Sequence, residues 1–418
     1  MKFSNFGKKF ATRAGIVQLM DDLGKAMAGD EHMMMLGGGN PAAISQVQAC
    51  IRENMYAILE NGDQFERMTG RYDSPQGKME FIEAMAALLR NTYGWDVYPN
   101  NIALTQGSQI SFFFLLNMFA GPTENGYPKK ILLPLTPEYI GYADVGVVDN
   151  LFVASKPEIE YIDAHAFKYR VNFDAVTLSD EIGAMCVSRP TNPTGNVLTN
   201  DEIEKLSTLA RQQNIPFIID NAYGTPFPNI IFTDALPVWD RHIILCMSLS
   251  KLGLPGVRTG IVIADEMVIK ALTDMNAISS LAPSSFGPTL VLDMVRSGEI
   301  LNLSQKVIQP FYYERSKWAV ARLSAALDGT NFYIHKSEGA IFLWLWCKDL
   351  PISSQDLYER LKARGVLVVP GHYFFPGLDD ESWSHRYECL RINYSQEKKS
   401  VVDEAFGIIA DEVKMAYA

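Results

Sequence analysis

The chain has 418 residues, 48% hydrophobic and 20% charged, with a formal net charge of -11. That length fits two or three domains with ample apolar material for a core, and the composition excludes a disordered or fibrous protein. The acidic balance argues against wholesale binding of nucleic acid or an anionic membrane, for which a basic face is the usual footprint.

Near the N-terminus Lys2, Lys8, Lys9 and Arg13 are followed by no apolar core, so this stretch does not read as a secretory signal. Residues 1–45 are expected to form an irregular arm packed on a small domain. The arm ends in Gly37-Gly38-Gly39-Asn40-Pro41, where the glycines either let backbone approach a ligand closely or serve only as a flexible hinge. Residues 46–300 are expected to form a large α/β domain. Within it, short β-rich runs at Ile102–Thr105, Lys130–Leu133, Ala184–Ser188, Pro216–Asp220, Ile243–Met247 and Gly260–Ala264 alternate with helical patterns at Gln109–Phe119, Thr199–Gln213 and Asp265–Ile278. Apolar strands without polar alternation imply burial on both faces, hence a mainly parallel sheet between helices, with ligands beyond the carboxyl ends of the strands. Ile110–Ala120, the most apolar run, is too short to span a bilayer.

From residue 301 to 418 the rhythm changes to that of a smaller α+β domain. It holds a long helix over Asn302–Leu327 bent at Pro310, a strand Ile341–Trp346, a helix Ser354–Arg364, strand segments at Val366–Val369 and Arg391–Tyr394, and a helix Ser395–Met415. The five cysteines are scattered and never spaced as C-x-x-C, which speaks against a disulfide framework or a zinc site. A reducing cytoplasm is the simplest setting.

The densest chemistry lies between Met247 and Arg258. Two hydroxyls (Ser248, Ser250), one amine (Lys251) and one guanidinium (Arg258) in a short loop suit a phosphorylated aldehyde. The serines and Arg258 can hold a phosphate dianion, while Lys251 can condense with the aldehyde to a Schiff base. Pyridoxal 5'-phosphate has that description. A loop of this composition is also common as plain surface, so its weight depends on what surrounds it.

Five further features bear on it. Gly107-Ser108-Gln109 lies between a strand and a helix, where a helix N-terminus offers unpaired N–H groups to an anion, or where a simple cap would sit. Tyr139 follows the strand Lys130–Leu133 and can lie flat on a heteroaromatic ring or merely pack half-buried. Asn192 is presented by the turn-rich segment Arg189-Pro190-Thr191-Asn192-Pro193-Thr194-Gly195. Asp220 ends an apolar strand, where a carboxylate requires a cation such as a pyridinium nitrogen, unless it caps the next helix. Arg391 stands in the strand-like Leu390–Tyr394, where bidentate capture of a carboxylate would explain a guanidinium among apolar neighbours, unless it merely sits on an exposed strand face.

In this order the residues resemble the fold-type I pyridoxal-phosphate aminotransferases of class I/II, from near residue 36 to 394. The resemblance implies that Lys251, Asp220 and Tyr223 are catalytic: the lysine as Schiff-base residue and proton carrier, the aspartate as partner of the ring nitrogen. It implies that Asn192 and Tyr223 hydrogen-bond the ring hydroxyl, and that Tyr139 and Ala222 flank the ring. Ser108, Gln109, Ser248, Ser250 and Arg258 would hold the phosphate, and Tyr72 would reach the phosphate of a neighbouring subunit in a homodimer with shared sites. Arg391, with Asn192 and backbone near Gly38 and Gly39, would bind the substrate α-carboxylate. Many relatives carry another residue at the position of Gln109, which leaves its side-chain role open.

No metal is implied. A second arginine for a side-chain carboxylate has no clear place, Arg13, Arg67 and Arg71 being candidates without context, so an apolar substrate side chain is expected. The loop His372-Tyr373-Phe374-Phe375-Pro376 agrees with that. The implied reaction is ping-pong transfer of an amino group from an aliphatic L-amino acid (valine or alanine) to a 2-oxo acid (pyruvate or 2-oxoisovalerate). Leu36–Ala42, Ser188–Val197, Asp220–Gly224 and Gly339–Trp346 are worded like the valine-pyruvate transaminase branch of the family.

Three alternatives stand beside it. A lyase or decarboxylase on the same scaffold differs only in the fate of the carbanion. Ser248-Leu249-Ser250-Lys251 also satisfies the S-x-x-K pattern of penicillin-recognising acyl-transfer enzymes, but S-D-N is absent and no K-T-G stands on a distant strand. A non-catalytic regulator would need a basic DNA-binding segment, for which the short N-terminal arm leaves no room.

Overall fold

The long apolar runs in the middle of the chain form the strands of a central sheet, and the residues that follow those strands line one edge of it. A computed structural model describes residues 2–11, 17, 21, 24, 33–124, 126–378, 380 and 382–418, so Arg13 lies outside the described residues. In chain order the strands are β1 (Met34–Met35), β2 (Ile102–Thr105), β3 (Lys130–Leu133), β4 (Phe152–Ala154) and β5 (Glu158–Tyr161). They continue with β6 (Ala166–Arg170), β7 (Ile182–Ser188), β8 (Phe217–Asp220), β9 (Ile243–Ser248) and β10 (Gly260–Ile263). The last five are β11 (Phe332–His335), β12 (Phe342–Cys347), β13 (Val366–Leu367), β14 (Val369–Pro370) and β15 (Cys389–Asn393).

The first sheet has the order β2-β10-β9-β8-β7-β3-β4, parallel except for β10, which runs antiparallel to both neighbours. Its strands are buried on both faces. Ile102 and Leu104 face one apolar core, while Ala103 faces another together with Phe112, Leu115 and Leu116 of the helix Ser108–Phe119. Local chemistry starts the helices where expected. At Asn200–Gln212 the Thr199 hydroxyl accepts from Glu202 N at 3.2 Å, and Glu202 Oε2 accepts from Thr199 N at 2.8 Å.

The second sheet has the order β14-β15-β12-β11-β6-β5. Its β5–β6 hairpin comes from within the 46–300 span expected for the large domain, yet pairs with C-terminal strands through Ile334 opposite Ala166. Lys168 on β6 explains why it stays there: its ammonium is buried against the Glu338 carboxylate and donates to Val197 O at 3.0 Å.

Two expectations change in detail. The 1–45 arm is not irregular throughout, since it has a helix at Asn5–Phe10 and β1 pairs parallel with β13. The long helix expected over Asn302–Leu327 is three pieces: Glu299–Leu303, a wider π turn at Ser304–Ile308, and Gln309–Ala326. The interruption precedes Pro310, whose ring crowds the carbonyl four residues back and whose missing N–H cannot continue the ladder.

Among the described residues no helix is long and apolar enough to cross a membrane, and no cluster of His, Cys, Asp or Glu is arranged to hold a metal ion. All five cysteines are free.

Candidate active site

At the carboxyl edge of the first sheet lies a cavity of about 500 Å³, walled by the ends of β7, β8 and β9, by the glycine run at 38–39 and by Arg391 of β15. The helix Ser108–Phe119 points its N-terminus into this edge. Gly107 precedes it with φ +87°, and a Cβ there would stand 2.3 Å from Arg258 Nη2. Only glycine therefore lets the Arg258 guanidinium lie over the first helical turn, and together they form a cradle for an anion. Ser248 Oγ accepts from Ser250 N at 3.0 Å and lies 2.9 Å from Ser250 Oγ, so both hydroxyls are set in place rather than turned toward Lys251.

Gln109 settles differently from the other phosphate-side candidates. Its side-chain amide donates to Gly141 O at 3.0 Å, bracing the turn that follows Tyr139. Gly141 is needed for the same turn, because a Cβ there would stand 2.3 Å from the Tyr139 ring. The ring of Tyr139 borders the cavity and meets Tyr142 edge-on, with centroids 5.4 Å apart.

Lys251 lies in the turn Ser250–Leu252 and donates from Nζ to Gly39 O at 2.5 Å. Burial, reinforced by the Arg391 and Arg258 charges and opposed by Asp220, pulls its amine down to about 8. An amine tuned in this way keeps an unprotonated fraction near neutrality, able to attack a carbonyl or take a proton. Its ammonium also lies 5.4 Å from the centre of the Tyr223 ring.

Asp220 ends β8. Its Oδ2 accepts from the Tyr142 hydroxyl at 2.6 Å and its Oδ1 from Ala222 N at 3.0 Å. Burial raises its pKa, against the opposing pull of those hydrogen bonds and of Lys251. A buried carboxylate of this kind requires a facing cation.

Arg391 is buried on β15. It donates from Nη1 to Asn192 Oδ1 at 2.8 Å and from Nη2 to Gly37 O at 2.6 Å, while its guanidinium carbon lies 4.4 Å from the centre of the Phe342 ring and 5.1 Å from that of Phe374. Burial lowers its pKa to about 10. The Nε–H is buried without a hydrogen-bond partner, so this cation beside the cavity keeps a donor in reserve. Carbonyls dominate the glycine run: Gly37 faces Arg391, Gly38 accepts from Asn393 Nδ2 at 2.7 Å, and Gly39 faces Lys251.

The structure thus brings together Ser108, Gln109, Tyr139, Asn192, Asp220, Ala222, Tyr223, Ser248, Ser250, Lys251, Arg258 and Arg391. It does not bring Tyr72, which is 83% exposed and outside this cavity. Arg67 and Arg71 are also outside, Arg67 being paired with Asp63 at 2.6 Å. Among the described lining residues the cations are Lys251, Arg258 and Arg391.

Sequence reasoning missed Tyr142, Glu138, Ser188 and Asn393. The faint signal for the first was a second tyrosine three residues after Tyr139.

Residues 31–409 match the family described as aminotransferase class I and II. The chain is 51% identical to the valine–pyruvate aminotransferase of Escherichia coli K12 over 418 residues, covering 100% of this chain and 99% of that one. A putative amino-acid aminotransferase from Psychrobacter arcticum superposes with a TM-score of 0.97 at 47% identity, over 100% of this chain and 99% of the other. The valine-pyruvate aminotransferase of Salmonella typhimurium gives a TM-score of 0.89 at 50% identity, over 96% and 99% of the two chains.

Proposed function

Because the chain belongs to the class I and II aminotransferases, we propose that it exchanges an amino group between valine and pyruvate, yielding 2-oxoisovalerate and alanine, and the reverse. The observation that carries this is one cavity holding an amine tuned to about 8, a buried carboxylate and a buried guanidinium with an unused donor.

The cofactor of the family is pyridoxal 5'-phosphate, and the donor set here fits it. The cradle of Gly107, the first helical turn and Arg258 suits a phosphate dianion, and Asp220 suits a protonated ring nitrogen. When bound, the cofactor supplies an aldehyde and a ring that withdraws electrons from the substrate α-carbon.

In this reading Ser108, the Gln109 backbone, Ser248, Ser250 and Arg258 hold the phosphate. Asp220 pairs with the ring nitrogen, Asn192 and Tyr223 with the ring hydroxyl, and Tyr139 and Ala222 flank the ring. Lys251 holds the cofactor and then moves a proton to and from the substrate α-carbon. Arg391 binds the α-carboxylate, with Asn192 and the 37–39 backbone fixing its plane. With Arg258 assigned to phosphate and Arg391 to the α-carboxylate, the described lining keeps no arginine for a second carboxylate, which favours an apolar side chain.

The exposed Tyr72 supports a homodimer in which it reaches the neighbouring subunit's phosphate. A groove of about 690 Å³ beside the cavity, where Val47, Ile51, Met55 and Leu290 stand beside Gln48 and Arg52, supports the same assembly. We further assign residues 1–45 to an arm, 46–300 to a large cofactor-binding domain that lends its β5–β6 hairpin to the second sheet, and 301–418 to a small domain, in a protein of the cytoplasm. A panel of amino donors and 2-oxo acids tests the reaction: amino transfer between valine and pyruvate supports it, and release of ammonia or carbon dioxide without transfer opposes it.

A further inference from the structure

Behind Asp220 lies a row of buried oxygens. Glu138 follows β3 in the segment that carries Tyr139. Its Oε1 accepts from Ser188 N at 2.7 Å, and its Oε2 meets the Ser188 hydroxyl. Ser188 Oγ stands 3.4 Å from the Tyr142 hydroxyl, which donates to Asp220 Oδ2 at 2.6 Å. Four side chains, from the segment after β3 and from the ends of β7 and β8, thus form one chain of contacts that ends on Asp220.

Proton counting gives the chain a direction. Tyr142 has one hydroxyl proton and spends it on Asp220, so its oxygen can only accept from Ser188. Against an ionised Glu138 the Ser188 hydroxyl donates to Oε2; a proton on Oε2 turns that contact around and frees the Ser188 hydroxyl to donate to Tyr142, 3.4 Å away. Glu138 closes the series only as a neutral carboxyl, donating from Oε2. Burial acts in the same sense, pushing the Glu138 carboxyl up to about 8. The other groups facing this row do not disturb it. The thiols of Cys186 on β7 and Cys246 on β9 are pushed well up by burial and stay neutral, and Lys251 is the cation on the cavity side of Asp220.

We propose that Glu138, Ser188 and Tyr142 are positioning residues, a relay of three donors in series that holds Asp220 ionised toward the ring nitrogen of the cofactor. The inference rests on the assignment of Asp220 made under the proposed function.

Three variants test it, with Asp220→Asn as the reference, read by the affinity of the apoprotein for pyridoxal phosphate and by the pH profile of kcat. Tyr142→Phe removes the last donor and raises the proton affinity of Asp220. The acid limb should move up by about one pH unit and cofactor affinity should fall about tenfold, while KM for the amino donor changes less than about threefold. Ser188→Ala breaks the relay in the middle and should move the acid limb in the same direction by less. Glu138→Gln keeps a donor toward Ser188 but cannot ionise, so the acid limb should stay and the decline above about pH 8 should disappear.

An unmoved acid limb and unmoved cofactor affinity in Tyr142→Phe, while Asp220→Asn loses both binding and turnover, overturns the relay and leaves Asp220 in its role. Undiminished cofactor affinity and turnover in Asp220→Asn overturns that role and the relay together. A Glu138→Gln variant whose acid limb moves as in Tyr142→Phe overturns the neutral carboxyl and with it the direction of the chain.

Discussion

Lys251 Nζ donates to the carbonyl of Gly39 across 212 positions of sequence, at 2.5 Å. The contact ties the reactive amine to the same glycine run that holds Arg391 through Gly37 and Asn393 through Gly38. One short backbone segment therefore sets the spacing between the amine proposed to hold the cofactor and the guanidinium proposed to bind the substrate, and proximity of this kind lowers the barrier of a step between them.

Replacing Lys251 by alanine should lower turnover by at least about a thousandfold, because both covalent attachment and proton transfer are lost. The fold and a phosphate-anchored association with pyridoxal phosphate should persist. Steady-state rates and equilibrium dialysis of the cofactor check this, and retention of full turnover would remove the lysine from the mechanism.

Arg391→Ala should raise KM for every α-amino acid, whatever its side chain. Loss of a charge-assisted bidentate contact costs roughly 2–5 kcal/mol, that is, from tens to thousands of times in KM. Arg391→Lys should recover little, since a single ammonium cannot reproduce the fork now braced by Asn192, Gly37 and the Phe342 ring. KM values over several donors decide the matter, and no change would move the carboxylate site elsewhere.

Gly107→Ala should weaken cofactor binding more than substrate binding. Its Cβ would meet Arg258 Nη2 at 2.3 Å in a backbone of φ +87°, so either the guanidinium or the helix start must shift. A loss of about tenfold or more in affinity for pyridoxal phosphate is expected, as for removal of a charge-assisted hydrogen bond. Fluorescence titration of the apoprotein measures it, and equal affinity in the two proteins would refute the cradle.

Stability should carry the mark of Glu138. Its carboxyl is raised from 4.5 to about 8, so across that window the folded protein holds a proton that the unfolded chain releases. Stability contributed at this position falls as pH rises from 4.5 to 8, and the cost is full above that. Glu138→Gln has no such slope, so its melting temperature relative to wild type should climb between pH 5 and pH 9. A difference that is the same at both pH values would contradict the buried neutral carboxyl.

What could be read beforehand depended on whether the signal was local. β2 and β3 have the same ends in sequence and structure, because each is a short apolar run bounded by polar or turn residues. The β5–β6 hairpin went unassigned: Glu158, Glu160, Lys168 and Arg170 interrupt its apolar residues. Lys168 is buried only because Glu338, 170 positions away, neutralises it. The helices Ser45–Glu60, Met79–Tyr93 and Phe286–Ser297 also went unassigned; in the last, glycine and proline in the first turn mask the apolar face.

The site divides in the same way. Asp220, Asn192 and the Ser248–Lys251 turn follow strands of one mainly parallel sheet, so their meeting at its carboxyl edge was foreseeable. Tyr142, Ser188 and Glu138 matter through contacts made only after folding, and nothing in their local spacing marks them.

The most direct test of the account is a single equilibration of the purified holoenzyme with 15N-valine and pyruvate. 15N-alanine and 2-oxoisovalerate should form in equal amounts, with no ammonia and no carbon dioxide. Unlabelled pyruvate left intact beside released 15N-ammonia or carbon dioxide would contradict it.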